Sequence, residues 1–386
     1  MLFYSKPLTS FNLDLKDEKS IHLWAKNYVC SVADSLKALE EKRLKSLMII
    51  TEKVLKTFSD ERLGTHHFSS LTGYAHGDQG REVIDRIFAK ILGAEKAAVR
   101  LQIVSGTHAI SSALYGVLRP GDLLLSVTGK PYDTLEEVIG IRGKGKGSLI
   151  EFGITYEEIN ISQSIDIDYQ KLDIALKKPI KMVFIQRSCG YSLGSSLSLD
   201  KIKKICSYIH NKDPQIVCFV DNCYGEFVED KEPCEVGADL IAGSLIKNLG
   251  GTIVTTGGYI AGRKELVEKA CCRLTAPGIG SKAGTGFDLH RLILQGLFLS
   301  PQMVTEALIG ADLVCGVFQG LGYIVSPRLG EHRTDLIQAV QFNDPEALKV
   351  ACRSLQASSP VGSYLDPVPS SMPGYKSDLI MAGGTF

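Results

Sequence analysis

The sequence carries no excess of charge of either sign: 43 lysines and arginines are matched by 43 aspartates and glutamates over 386 residues. A nucleic-acid binder shows a basic surplus or stripe, so small, weakly charged partners are expected instead. No apolar run approaches the roughly 20 residues that a membrane helix needs, and no membrane contact is expected. Residues 1–20 mix lysine with aspartate, contain no arginine and offer no apolar h-region. That argues against a secretory signal or a transit peptide and for a cytoplasmic protein. None of the ten cysteines is paired in a C-x-x-C spacing, so no zinc-ribbon or redox motif is present. Small buried hydrophobes in a reducing compartment account for them, and no metal-ligand set is assigned.

What is present is an ordinary globular composition, 44% hydrophobic and 22% charged, in a chain long enough for a large and a smaller domain. Residues 20–58 place Leu36, Leu39, Leu44, Leu47, Ile50, Val54 and Leu55 at helical spacing among lysines and glutamates, which predicts a long amphipathic helix, broken at most once. Residues 1–63 form an N-terminal helical segment. From residue 64 to 300, short apolar runs alternate with helical patterns: Ala97–Val104, Leu123–Val127, Met182–Gln186, Ile216–Asp221, Leu240–Ala242 and Gly258–Ala261 read as strands. Continuous apolar strands separated by helices predict an α/β domain, a mostly parallel sheet covered on both faces. Residues 301–386 read as a smaller α+β domain, with strands at 323–325 and 336–340 and a helix over 344–355. The chain stops as a further strand begins, so a truncated C-terminus is expected.

Three segments carry chemistry. Val104-Ser105-Gly106-Thr107-His108 is a strand-to-helix turn whose small residues let backbone N–H groups meet an anion at a helix N-terminus; the plainer reading is an N-cap by Ser105 or Thr107. Asp221 ends an apolar strand, at the carboxyl edge of the sheet where ligands of open α/β folds bind. A carboxylate there needs a positive partner, unless it only caps the next element. Lys247 lies among apolar residues just before Gly250-Gly251. Desolvation is expected to lower its pKa and make it an amine nucleophile; the alternative is a lysine snorkelling from a strand end. A lysine for an aldehyde, a carboxylate for a ring nitrogen and a cradle for a phosphate are the needs of pyridoxal 5′-phosphate (PLP).

With those residues in place, the sequence resembles the aluminium-resistance-protein branch of the fold-type-I PLP-dependent enzymes, the methionine gamma-lyase-like or cystathionine beta-lyase-like group. The resemblance is carried by 72–81 (Thr72-Gly73-Tyr74 through Arg81), 104–110, 129–135, 220–226, 244–251 and 367–375, and spans nearly everything after about residue 64. It implies a fold-type-I transferase-like architecture with a Schiff base on Lys247. Asp221 would pair with the pyridinium nitrogen, Gly106 and Thr107 would bind phosphate through backbone N–H groups, and Ser244 would add its hydroxyl. Tyr132 would stack on the ring, and Tyr74 would reach a neighbouring subunit's phosphate, which implies a homodimer or homotetramer with shared sites. The implied reaction is carbon–sulfur lysis of a small sulfur-containing amino acid of the methionine, cysteine or cystathionine type.

The pattern also departs from the family. Cys189 stands where a second arginine is usual after Arg187, Gly194 replaces another, and the arginine expected for the substrate carboxylate lies beyond Phe386. These departures motivate an alternative, a catalytically impaired PLP-fold protein with a binding or stress and metal-resistance role. Gly140–Gly147 falls one residue short of a phosphate-binding P-loop, because Gly147 stands where Ser or Thr must hold magnesium; a basic loop at the site mouth is expected. His66, His67 and His76 match no familiar metal spacing.

Overall fold

The computed structural model describes residues 17–143, 145–159, 167–190, 194, 196–372, 375 and 377–383; Lys144 of the glycine-rich basic run and Pro373 and Gly374 of the last motif fall outside them. The large unit holds strands β1 (Lys96–Arg100), β2 (Leu123–Ser126), β3 (Thr155–Glu158), β4 (Ile180–Gln186), β5 (Val217–Asp221), β6 (Leu240–Ser244) and β7 (Gly258–Gly262). Among the described residues they form one sheet in the order β1-β7-β6-β5-β4-β2-β3. Four neighbouring pairs are parallel, while β7 runs antiparallel to both β6 and β1. The expected mostly parallel sheet is therefore present, with one reversed strand. Strand β3, Thr155-Tyr156-Glu157-Glu158, carries no apolar run; it sits at the edge, pairs only with β2, and so can afford charge.

The helices are α1 (Glu18–Ser35), α2 (Lys37–Asp60), α3 (Gln79–Ile91), α4 (Gly106–Val117), α5 (Asp133–Ile139), α6 (Tyr169–Ala175), α7 (Leu199–Lys212), α8 (Lys264–Leu274), α9 (His290–Gly320) and α10 (Pro345–Ala357). The N-terminal helical run breaks once, at Leu36. Leu149 and Ile150 turn back on α5: their amides donate to Val138 O (2.9 Å) and Ile139 O (3.0 Å). The sheet buries both faces, as its apolar strands require. Ile185, Cys218, Val220 and Ile241 pack with side chains of α3, α7 and the first half of α9. Leu124, Phe184, Phe219 and Ala242 pack with α4, α5 and α8.

Two compact units result. The larger comprises residues 41–308 with 333–337, and the smaller comprises 1–40, 309–332 and 338–386; the sequence boundary at 63/64 lies inside the larger unit. Within the smaller unit, β8 (Ile324–Ser326) pairs antiparallel with β9 (Ala339–Gln341). Residues 336–338 do not extend β9 as the sequence suggested, because Asp335 Oδ1 accepts from Ile337 N (3.1 Å) and bends the chain. Rings of Phe318, Tyr323 and Phe342 cluster with centroids 5.2–5.7 Å apart, and Tyr28 Oη donates to Val317 O at 3.1 Å.

Helix α9 is long and apolar enough, by length and composition, to cross a membrane, although half of its most apolar stretch is buried within the protein, as in the central helix of a folded domain. Gln295, Ser300, Gln302 and Thr305 interrupt its apolar residues, which is why no continuous run is visible along the sequence.

Candidate active site

The site lies in the large unit, at the carboxyl ends of β5 and β6 and the N-terminus of α4. Ser105 caps α4 by accepting from His108 N at 3.0 Å, so the N-cap reading of Ser105 holds. The ring of His108 is engaged locally: its Nδ1 accepts from Val104 N at 3.2 Å, and burial pushes its pKa down. Gly106 opens the helix where a β-carbon would sit 3.0 Å from Cys223 Sγ and 3.6 Å from Ser244 Cβ. Any larger residue would fill the notch between β5 and β6, which explains glycine here. Thr107 Oγ1 is 3.0 Å from Tyr132 Oη and 3.3 Å from Thr134 Oγ1. Tyr132 is tethered by its own amide to Gln186 Oε1 (3.1 Å), and burial, reinforced by the Asp221 carboxylate, raises its phenol pKa.

Asp221, 5% exposed, ends β5 and accepts from Cys223 N at 3.1 Å. Burial raises its pKa, while Lys247 and the bond from Cys223 act in the opposite direction. The chain then turns sharply, with Tyr224 and Phe227 in the left-handed region (φ 69° and 61°), a conformation that costs non-glycine residues and concentrates at functional sites. That turn sets the Tyr224 ring beneath Lys247, whose Nζ lies 3.8 Å from the ring centroid, within cation–π range.

Lys247 is held from both sides. Leu245 N donates to Gly257 O (3.0 Å), and Asn248 Nδ2 to Glu226 O (2.8 Å). Gly250 and Gly251 are dictated by close approach: a β-carbon on Gly250 would lie 1.7 Å from Leu245 O, and one on Gly251 2.2 Å from Gly296 O of α9. The paired glycine thus wedges the lysine turn against α9. The expected acidic shift of Lys247 is not what the structure gives. Burial does pull its pKa down, but Cys223, Tyr224, Asp221 and Glu226 pull it up and prevail.

Of the residues named from sequence, the structure brings Gly106, Thr107, Tyr132, Asp221, Ser244 and Lys247 into one locality. Ser244 is buried at the end of β6, its hydroxyl 3.4 Å from Ile246 N. Tyr74 stands apart, its side chain 80% exposed and stacked on His76 (5.9 Å). Cys223, Tyr224 and Glu226 were missed. Glu226 is fully buried, accepts from Tyr259 Oη at 2.8 Å, and is pushed up to about 8 by burial. Its Oε2 and Asn248 Oδ1 have no hydrogen-bond partner among the described residues. The only trace of this in sequence was a glutamate five residues beyond Asp221.

Arg187 is wholly buried and structural. It donates to Asn222 Oδ1 (2.7 Å) and Glu229 Oε2 (2.9 Å) and faces Glu232 at 3.8 Å. At Cys189, the amide donates to Ser196 Oγ (2.9 Å) and the sulfur lies 4.0 Å from Asp335 Oδ2. Asp335 also accepts from Ser188 Oγ (2.6 Å) and from Ser196 Oγ, and Leu336 N donates to Tyr224 O (3.2 Å). Residues 333–337 are thereby fastened beside the site, a link between segments some 140 positions apart that no local pattern signals.

This sheet order, with a lysine after one strand and a buried aspartate ending its neighbour, is the architecture of the fold-type-I PLP-dependent enzymes. The chain belongs to the methionine gamma-lyase family, whose profile matches residues 25–386; members of that family depend on PLP. It is 45% identical over 335 residues to YnbB of Bacillus subtilis, a protein of uncharacterized function, covering 86% of this chain and 80% of that one. Among solved structures, a Listeria monocytogenes protein named as a candidate cystathionine beta-lyase involved in aluminium resistance superposes with a TM-score of 0.91 at 43% identity, covering 94% of this chain and 89% of that one. A Clostridium novyi protein, named as a carbon-sulfur lyase involved in aluminium resistance, gives 0.90 at 41% identity over 94% and 85% of the two chains.

Proposed function

We propose that this chain is a PLP-dependent carbon–sulfur lyase that cleaves a sulfur-containing amino acid by β- or γ-elimination. The observation that carries the reading is the meeting of a buried aspartate, a clamped lysine and a glycine-opened helix N-terminus in one locality. The residues fit the cofactor: a β-carbon at position 106 would narrow the cradle against Cys223 and Ser244, and the donor set supplies an amine, an anion and backbone N–H groups.

When bound, PLP supplies an electron sink for negative charge developing at the substrate Cα. Asp221 would keep a proton on the ring nitrogen; burial makes that proton worth holding, because a lone carboxylate is costly there. Gly106 and Thr107 would present the α4 N-terminus to the phosphate, with Ser244 adding its hydroxyl and Tyr132 closing the ring face. Lys247, displaced by the substrate amine, would take the Cα proton and return one elsewhere, its basicity tuned by Asp221, Cys223, Tyr224 and Glu226. The family and the names of similar proteins support lysis of a carbon–sulfur bond. We infer further that the chain works in the cytoplasm as a homodimer or homotetramer, in which the exposed Tyr74 completes a neighbour's site.

The test has two parts. Purified protein should show the absorbance of lysine-bound PLP, and Lys247→Ala should remove it; an undiminished band in the variant would reject Lys247. Incubation with methionine, cysteine and cystathionine should release a thiol or sulfide, a 2-oxo acid and ammonia. Bound cofactor with no such release from any of the three would instead support the catalytically impaired reading that Cys189 and Gly194 motivate.

A further inference from the structure

Asp221 and Lys247 reach the site from different elements, and a buried chain of hydrogen bonds joins the residues that follow them. Asn222 continues the β5 ladder, its amide donating to Ala242 O at 3.1 Å. Its side chain turns to the sheet face opposite Asp221, the face on which Tyr259 packs. There Asn222 Oδ1 accepts from Arg187 Nη1 (2.7 Å), and Nδ2 donates to Glu232 Oε2 (2.9 Å) and to Tyr259 Oη (3.2 Å). A guanidinium can only donate, so the amide is fixed in this orientation.

Tyr259 lies on β7, and its phenol crosses β6 at Gly243, the residue opposite it in the ladder. A β-carbon at Gly243 would come within 2.5 Å of Tyr259 Oη, so glycine is what lets the phenol reach from β7 to the end of β5. Besides accepting from Asn222, Oη donates to Glu226 Oε1 at 2.8 Å. Burial, reinforced by Glu226, holds the phenol far above its ordinary pKa, so it keeps the proton it donates. Glu226 in turn accepts at its main-chain oxygen from Asn248 Nδ2 (2.8 Å). All four residues are shielded from solvent, where a bond left unmade is costly.

We propose that Tyr259 is a positioning residue: its phenol is the middle of a strut, Asn222–Tyr259–Glu226–Asn248, that sets the separation between the strand end carrying Asp221 and the turn carrying Lys247. The inference rests on the reading of those two residues as the cofactor's partners. PLP is a rigid ring gripped at opposite ends, by a lysine at its aldehyde and a carboxylate at its nitrogen, so the spacing of the two grips has to be held by the protein. Among the described hydrogen bonds the phenol meets neither Asp221 nor Lys247; it acts through their neighbours in the chain. The same strut steadies Tyr224, two residues before Glu226, whose ring lies 3.8 Å from Lys247 Nζ. Sequence spacing could not reveal it, because its members come from three strand ends and a turn.

Amide hydrogen exchange of the full chain, before and after PLP is added, reads the Lys247 turn, where Gly250 N donates to Lys247 O and Gly251 N to Asn248 O (both 3.2 Å). Tyr259→Phe keeps the ring beside Phe88 (centroids 6.5 Å) and removes the two phenol bonds. Before PLP is added it should speed exchange over residues 245–251 about tenfold; with PLP bound it should lower the visible circular dichroism per bound cofactor, which reports how the ring is held. Asn248→Ala cuts the far end and should act alike. A strut cut once is already open, so the double variant should exchange no faster than the single ones. Ile205→Val, a core change on α7, should lower the melting midpoint and leave both signals as in the wild type. Unchanged exchange and dichroism in Tyr259→Phe, a double variant about a hundredfold faster, as two independent effects would give, or the same response in Ile205→Val would each overturn the proposal. A wild type that never shows lysine-bound absorbance would reject the cofactor reading instead, and exchange without PLP would still decide the strut.

Discussion

Arg187→Met separates a structural arginine from one that greets substrate. The guanidinium is 0% exposed and answers three partners, of which Glu232, 1% exposed, has no other cation within bonding distance among the described contacts. Methionine keeps much of the apolar stem and removes the charge. Glu232 then retains only the donors Asn222 Nδ2 and Phe227 N, both at 2.9 Å. Breaking a buried pair from one side costs about 3–5 kcal/mol, which for a unit of this size lowers the melting midpoint by about 6–20 °C. The pH dependence carries a sign. Burial already raises the Glu232 pKa even with Arg187 present to oppose it; without Arg187 it rises further above its unfolded value. The native variant then binds a proton that the unfolded chain has released, so its stability falls as pH rises through that interval. The deficit relative to wild type should be smaller at pH 5 than at pH 8, and adding Glu232→Gln should recover much of it. Calorimetry of the two variants across that range is the assay. A midpoint shift below about 2 °C, accompanied by a raised KM for the amino acid, would refute the structural assignment.

Four further outcomes are expected. Glu226, pushed from 4.5 to about 8, keeps its proton in the native state where the unfolded chain has lost it, so wild-type stability falls as pH climbs through that window. Glu226→Gln should match wild type near pH 5 and melt higher near pH 9; parallel pH curves would contradict this. Gly250→Ala must displace Leu245 O from 1.7 Å, shifting the lysine turn, and should diminish the lysine-bound cofactor absorbance and the melting midpoint together. Gly310→Ala, on an exposed position of α9 with nothing within 4 Å, should instead stabilise by about 0.5–1 kcal/mol. Tyr132→Phe removes the 3.0 Å contact with Thr107, worth about 0.5–1.5 kcal/mol. Cofactor dissociation, followed by fluorescence, should weaken about two- to tenfold; an unchanged constant would place the phenol outside the phosphate cradle.

Local order along the chain was enough to determine the strands that form the sheet's centre, since an apolar run ended by glycine or aspartate has few other stable conformations. It also marked Asp221 at a strand end and Lys247 before its glycine pair, because both are chemically costly placements that short-range pattern exposes. Tertiary structure alone decided the rest. Strand β3 is polar because its edge position asks for one neighbour only, and β7 is reversed by pairings with β6 and β1 that no periodicity encodes. The burial of Arg187 among Asn222, Glu229 and Glu232 joins segments some 35 to 45 positions apart that no local pattern links. Lys247 is basic, against the expectation from burial, because Cys223, Tyr224, Asp221 and Glu226 reach it through a turn and a neighbouring strand. Electrostatic energy depends on distances through space, and those distances exist only once the chain has folded.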